Sequence, residues 1–402
     1  MPSPTIAVLE ALLASATPEA DRPPPPSEAQ EEQPALDLSV TYTADVWGNV
    51  RGGRRRGLRY LDNLDVTLTI DSEKALGWPG GTIFIYGLYN NGESLSEELI
   101  GDVQVASNID AGVQAARLYE AWVEQRLIGD RLSLKAGLYD LNSEFDTSDS
   151  AGLFLNSSHG IGPDFSQSGE NGPSIFPVTS LAVRAEYELS DRWLARAAVL
   201  DGVPGDPRAP RRTAIQLGGG DGALVVGEFS YLDDRTKLAV GAWRYTAKFE
   251  DILATQLAAE PVERRGNDGL YALAERKLWN ETADSGQGLS GWLRFGLADP
   301  RFNPIRSYLG GGLVYTGPLA ARDQDQFGVA VARVRFGERY LKTAVLAGQA
   351  LEAGETNIEI TYRMPLTPWL TLQPDLQYVL DPGGVPGRRN AFAIGLRTEI
   401  GF

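Results

Sequence analysis

From residue 37 onward, apolar and polar side chains alternate with a period of two. In 61–71, Leu64, Val66, Leu68 and Ile70 fall on one face. Asn63, Asp65, Thr67, Thr69 and Asp71 fall on the other. Successive side chains of a strand point to opposite faces, so the pattern predicts strands with one apolar and one polar side. Such segments occupy 37–48, 60–71, 81–91, 115–128, 130–140, 180–190, 192–201, 223–231, 236–248, 268–280, 288–299, 307–316, 325–335, 354–364, 369–380 and 390–402, sixteen in all. Most run to about 9–13 residues, which suits a tilted strand crossing a bilayer. Globular strands are usually about five or six residues long.

The connections carry a second pattern. Short turns at Gly129-Asp130, Ser190 to Arg192, Leu232 to Arg235 and Pro365 to Pro368 follow even-numbered segments. The links after odd ones are mostly longer: 92–114, 141–179, 202–222, 249–267 and 336–353. Outer-membrane barrels sort their connections this way, with short periplasmic turns and long outer loops. The predicted fold is an all-β transmembrane antiparallel barrel of sixteen strands over 37–402. Both ends of that region are expected on the periplasmic side, and sixteen strands leave an aqueous channel. The 141–179 connection is the longest. Its Gly152, Gly160, Gly162, Pro163, Gly169, Gly172 and Pro173 permit tight folding, so it is read as the loop that narrows the lumen. In the last segment Phe392, Ile394, Leu396, Ile400 and Phe402 share a face with Thr398, while Arg397 and Glu399 take the other. An amphipathic strand ending on Phe402 resembles the signal read by the barrel-insertion machinery, a predicted partner.

Composition narrows the chemistry. No cysteine is present, which excludes thiol catalysis and cysteine-ligated metal, and His159 is the single histidine. The net charge of −16 disfavours binding to nucleic acid phosphates. No phosphate loop, metal-ligand spacing or nucleophile–histidine pair stands out, and no cofactor is expected. Gly310-Gly311-Gly312 and Gly218-Gly219-Gly220 lack the strand–turn–helix setting of a nucleotide site. Residues 1–36 form an acidic, Pro-rich segment that is expected to be disordered. Ile6 to Ala16 has the outline of an export signal, although Glu10 interrupts it and no basic residue precedes it.

Several segments resemble the carbohydrate-selective porins of the OprB type. They are Gly52 to Gly57 running into Tyr60 to Asp71, Leu76 to Gly81, Ser107 to Asp110 with Arg117 to Trp122, Phe154 to Phe165, Asn171 to Pro177, Thr367 to Tyr378, and Asp381 to Gly384. The resemblance spans roughly 45–402. It implies a bacterial outer-membrane porin for passive diffusion of mono- or small oligosaccharides, as a monomer or a homotrimer in contact with lipid and lipopolysaccharide. Periodicity alone implies a pore. Two alternatives stand beside the sugar porin: a pore for phosphate or organic anions, and an all-β outer-membrane hydrolase using a pair such as Glu120 and Glu124.

A sugar offers hydroxyls and an apolar ring face, so a selective lumen should present charged groups, amides and aromatics. Strand phase nominates Glu120, Trp122 and Glu124, with Tyr119, Ala121 and Val123 facing out. It also nominates Arg184, Glu186, Glu188, Trp292, Arg294, Gln373, Asp375 and Gln377, and by the same rule Lys135, Arg196, Arg244 and Arg397. Arg–Glu bracing of the wall is the competing role for any one of these charges. Within the constriction loop, Asn156, Ser157, Ser158, Asp164 and Phe165 are expected to border the channel. The segments at 81–91 and 268–280 do not phase cleanly. Arg54-Arg55-Arg56, in the first outer loop, suits anionic sugars, lipopolysaccharide phosphates or plain solvation equally.

Overall fold

The computed structural model describes residues 34–281 and 286–402. The expected disordered segment and export signal lie almost wholly outside the described residues. The remainder is a closed antiparallel barrel of sixteen strands. In chain order these are β1 (Leu36–Arg51), β2 (Gly57–Asp71), β3 (Gly81–Gly92), β4 (Ala115–Leu127), β5 (Leu132–Tyr139), β6 (Ser180–Ser190), β7 (Trp193–Asp201) and β8 (Ala223–Leu232). They continue with β9 (Thr236–Tyr245), β10 (Asp268–Asn280), β11 (Gly288–Ala298), β12 (Ile305–Thr316), β13 (Gln326–Phe336), β14 (Gly354–Thr367), β15 (Leu370–Leu380) and β16 (Ala391–Gly401). Each pairs with its sequence neighbours, and β16 pairs with β1 to close the ring, from Thr41 opposite Gly401 to Asp45 opposite Arg397. The Phe402 N–H donates to Val40 O across that seam (2.9 Å). Closure leaves no unpaired edge, which a spanning sheet in hydrocarbon requires.

The alternation holds along most of the wall. On β13, Phe327, Val329 and Val331 are exposed outward, while Gly328, Ala330, Ala332 and Val334 are buried inward. Aromatics collect on the outer face at the short-turn end. Trp193 stacks on Phe229, and Trp279 lies over Tyr315. Beside the barrel, the connection between β9 and β10 holds a small hairpin, Lys248–Glu250 with Glu263–Arg265, and a helix, Ile252–Ala258. The alternation of 236–248 therefore overruns the end of β9.

Three register shifts explain where simple phase fails. Opposite Tyr86 and Gly87, β4 inserts an extra residue, so both Tyr119 and Glu120 turn inward. Tyr119, expected to face out, is buried with its hydroxyl donating to Asp140 Oδ2 (2.6 Å). A second shift falls between Lys277 and Trp279 of β10, and a third beside Arg306 of β12. On β3 no alternation shows because both faces are apolar: Ile83 and Ile85 face out, and Phe84, Tyr86 and Leu88 face in.

The buried apolar side chains lie on the lumen side of the wall. Leu141, Phe145, Ile161 and Phe165 pack against Leu200, Leu224, Val226, Trp243 and Tyr271. Leu95, Leu99, Ile100, Ala106 and Ile109 pack against Trp47, Leu61, Val379 and Ala393. Two connections, 93–114 and 140–179, thus fold inward, where the sequence pointed to one. Glycines make the room. Gly310 and Gly312 face Arg294 and Trp292 across the β11–β12 ladder. A Cβ at these positions would lie 2.1 Å from Tyr308 Oη and 2.9 Å from Trp292 Nε1. The glycine triplet is therefore a packing device.

Candidate functional site

The inward loops are held by carboxylates on the wall. A carboxylate oxygen is the natural partner for a loop N–H that has left regular structure. Glu359 of β14 accepts from the N–H groups of Leu155 and Asn156 (2.5 and 3.0 Å). Glu355, two inward positions away, accepts from Val103 and Gln104 (2.9 and 3.0 Å). Glu275 of β10 accepts from Asp149 and Ser150, Glu228 of β8 from Asp146, and Glu120 of β4 from Asp140. Gln373 and Gln377 donate to the backbone oxygens of Leu153 and Ala106. Asp375 lies in the same buried row and accepts from Gln377 (3.3 Å). Asn156, at the centre, donates to Gln104 O and Gln377 Oε1 (2.9 and 3.1 Å).

The loops in turn neutralise the cations of the wall. Asp146 grips Arg294 with both oxygens (2.7 and 3.1 Å), and Asp164 takes a third guanidinium hydrogen. Burial pushes the Asp146 carboxyl up to about 6 despite the arginine, and raises Asp164 as well. Glu144 sits among Lys135 (2.6 Å), Arg184 (2.7 Å) and Arg196 (3.7 Å). Burial would raise its carboxyl, but Lys135 and Arg184 hold it down at about 2. Arg196 also pairs with Glu186, and Arg397 with Asp45 (2.8 Å) while reaching Asn108 in the other loop. His159 is enclosed by Phe154, Trp292 and Glu359, and burial lowers its imidazole to about 3.

Toward the short-turn end, lumen-facing side chains of β2 to β4 stay partly open, as do Glu186 of β6 and Lys237 of β9. Phe84 stacks on Trp122, with ring centroids 4.9 Å apart and planes at 25°. Lys135 Nζ stands 3.9 Å from the Trp122 ring centre, and Trp122 Nε1 donates to Glu120 (3.1 Å). Tyr86 adds a third ring and donates to Asp65 (2.7 Å). Phe84, Tyr86, Trp122, Asp65, Thr67, Thr69 and Glu124 all keep part of their surface uncovered, and Arg126 nearby is about half exposed. The result is an aromatic surface bordered by charged and hydroxyl groups.

Most phase-nominated residues do face inward, but their surroundings differ from expectation. Glu120, Arg184, Arg294, Gln373, Asp375, Gln377 and Arg397 are buried beneath the loops. Trp292, expected as an open platform, is only 3% exposed because Phe154 and His159 cover it. Asn156, Ser158, Asp164 and Phe165 are likewise buried, anchoring the loop rather than bordering water, whereas Ser157 is part-exposed and bonds Val105 O. Glu186 and Glu124 stay partly open. Arg244 is a correction: it faces outward and pairs with Asp268 (3.5 Å). Trp243 and Tyr245 take the lumen side there, because Phe165 stacks on Trp243 (5.0 Å). Beside Phe165 the inward face is apolar, and the polar-in rule inverts there. Phe84 and Tyr86 were missed for the same reason: with both faces of β3 apolar, no phase could be read.

Comparison with known proteins agrees with this architecture. A family model for the carbohydrate-selective porins, OprB family, matches residues 55–402. Porin B of Pseudomonas aeruginosa is 25% identical, over 91% of this chain and 87% of that protein. A high-pH structure of Pseudomonas putida OprB superposes with a TM-score of 0.84 at 24% identity, covering 92% of this chain and 94% of the other. An anion-selective porin from Comamonas acidovorans shares the fold more loosely, with a TM-score of 0.55 at 12% identity over 91% and 99% of the two chains. With sixteen strands, inward loops and a family match over nearly the whole barrel, this chain belongs to the carbohydrate-selective porin, OprB family.

Proposed function

We propose that this outer-membrane sugar porin passes mono- or small oligosaccharides along the β2–β4 side of its lumen, with its long connections facing the cell exterior. The Phe84–Trp122 stack carries the reading, as the partly open aromatic surface on the lumen side. A sugar ring lays its C–H face on such a surface. Its hydroxyls exchange water for Asp65, Glu124 and Arg126 at the border, each charged hydrogen bond being worth about 1.5–3 kcal/mol. Passage needs contacts that are favourable but weak enough to release. The two inward loops narrow the opening and leave this side clear.

The charges disfavour a pore for anions. Lys135, Arg184, Arg196, Arg294 and Arg397 each have a carboxylate partner within reach, so no ring of bare cations lines the lumen among the described residues. A hydrolase is disfavoured too. Glu120 is occupied by Asp140 N–H and Trp122, and Glu124 by Ser133 (2.8 Å), which makes them braces. We read transport as passive. Liposomes carrying the protein test this by swelling rate. Glucose should enter at least several-fold faster than gluconate of similar size, and equal or faster entry of gluconate would reject the sugar preference.

A further inference from the structure

The outer wall of β11 to β13 carries charge where lipid should lie. Reading across the ladders, one outward row is Tyr315, Phe327 and Tyr362, and the next two are apolar: Leu313, Val329 and Ile360, then Gly311, Val331 and Ile358. The fourth row is Leu309 and Arg333, and the fifth is Ser307 and Arg335. Arg333 thus stands about 20 Å along the strand from the aromatic row, or about 15 Å along the membrane normal at a typical barrel tilt. The apolar band of such barrels is about 25 Å tall. Arg333 falls inside its far part, and Arg335 nearer its edge.

Both residues are exposed. Arg333 reaches Thr356 Oγ1 (3.1 Å), and among the described residues neither arginine has a carboxylate within 4 Å. Arg306, displaced outward by the third register shift, joins them and pairs with Glu338. Between these cations and the wall lies a groove of about 670 Å³, floored by Phe295, Leu297 and Leu309. A bare cation facing hydrocarbon is unfavourable, and a wall built for acyl chains alone would not place two there.

We propose that this groove binds a phosphorylated lipid of the outer leaflet. Its phosphates would sit on Arg333 and Arg335, with an acyl chain along Phe295, Leu297 and Leu309. The placement rests on the orientation given above, in which the 337–353 connection faces outside. Charge complementarity selects this occupant over a neutral lipid: three arginines face one glutamate. The apolar floor selects it over free phosphate.

The test uses detergent-purified full-length protein titrated with bisphosphorylated lipid A and followed by native mass spectrometry. Dephosphorylated lipid A and inorganic phosphate serve as comparison probes. Wild type should bind lipid A at least tenfold more tightly than the Arg333→Ser, Arg335→Ser double variant, and tenfold more tightly than the dephosphorylated lipid. Arg276→Ser removes an outward arginine at the opposite rim and should bind as wild type. Sugar-dependent conductance of the double variant should be unchanged, which confirms a folded pore and separates this test from the reading of the lumen. Equal lipid A binding by the double variant, equal binding of the dephosphorylated lipid, or full competition by millimolar phosphate would each overturn the proposal. So would a change in oligomeric mass in the double variant, which would make the patch a contact between copies.

Discussion

Arg294 shows how one residue serves the wall and the loop together. Its side chain is buried and its guanidinium is shared between Asp146 and Asp164 of the 140–179 connection. Removing one partner of a buried ion pair leaves an uncompensated charge, at a cost of about 3–5 kcal/mol. Arg294→Ala should therefore loosen this loop. Limited proteolysis would show cleavage within 141–179 that wild type resists, and an unchanged digest would remove Arg294 as an anchor. The neutral triple variant Arg294→Met, Asp146→Asn, Asp164→Asn should lose much less, since no charge is stranded. Glu144 gives a pH dependence of known sign. Its folded value near 2 lies below the ordinary carboxylate value of 4.5, because Lys135 and Arg184 favour the charged form. Its contribution is complete above about pH 4.5 and is lost as pH falls through about 2. Asp146, raised by burial, acts in the opposite sense between its ordinary value and about 6. Glu144→Gln should flatten the acid loss of loop protection between pH 4.5 and 2, and an unaltered profile would assign that loss elsewhere. Of these roles, sequence phase made the inward direction of Arg294, Arg184 and Glu120 legible. It could not show that loop residues occupy them, as Asp146 does Arg294 from 148 positions away, because phase reports a side and not a neighbour.

At the scale of elements, strand positions and the sorting of loop lengths were readable because the membrane enforces an apolar outer face over every crossing. The failures sit where that constraint is absent or disturbed. Arg244 lies at the end of β9, past the band, while Trp243 and Tyr245 turn in to meet Phe165. Tyr119 and Glu120 share a side at a bulge, and no pattern of two can encode an extra residue. The inward fold of 93–114 was not read from the sequence, although 92–114 is among the longer links. What holds it is Glu355 on β14, about 250 residues away in the chain. Glu355→Ala should free Val103 and Gln104, raising hydrogen exchange across 99–109 while leaving the strands protected. Exchange as slow as in wild type would show that the apolar contacts alone hold the loop. β16 makes the complementary case. It bonds on both sides, to β15 and to β1, and Phe402 ends it outside the wall, 80% exposed. Phe402→Ala should lower the yield of assembled barrel in cells and leave the conductance of assembled pores unchanged. Wild-type yield would remove this residue from assembly.

For the whole molecule, a barrel of sixteen strands is wide enough to conduct water, and two connections fold into its lumen. The loops bury Trp292, Gln373, Gln377 and Arg397, and they leave Phe84, Tyr86 and Trp122 partly uncovered. Family resemblance pointed to sugars, while strand phase nominated Trp122 and Trp292 alike as platforms. The fold alone separates them, since only Trp122 keeps uncovered surface. Orientation can be checked with tags. One inserted in 202–222 should label on intact cells and one at 129–130 should not, and the reverse would place the long connections in the periplasm. The most direct test of the account is ion current through single pores in a planar bilayer during titration with glucose. Wild type should show current block that saturates with sugar. Phe84→Ala with Trp122→Ala should weaken that block about tenfold, equivalent to about 1.4 kcal/mol, while open-pore conductance holds or rises. Block of wild-type strength in the double variant would place the sugar path elsewhere in the barrel and contradict the account.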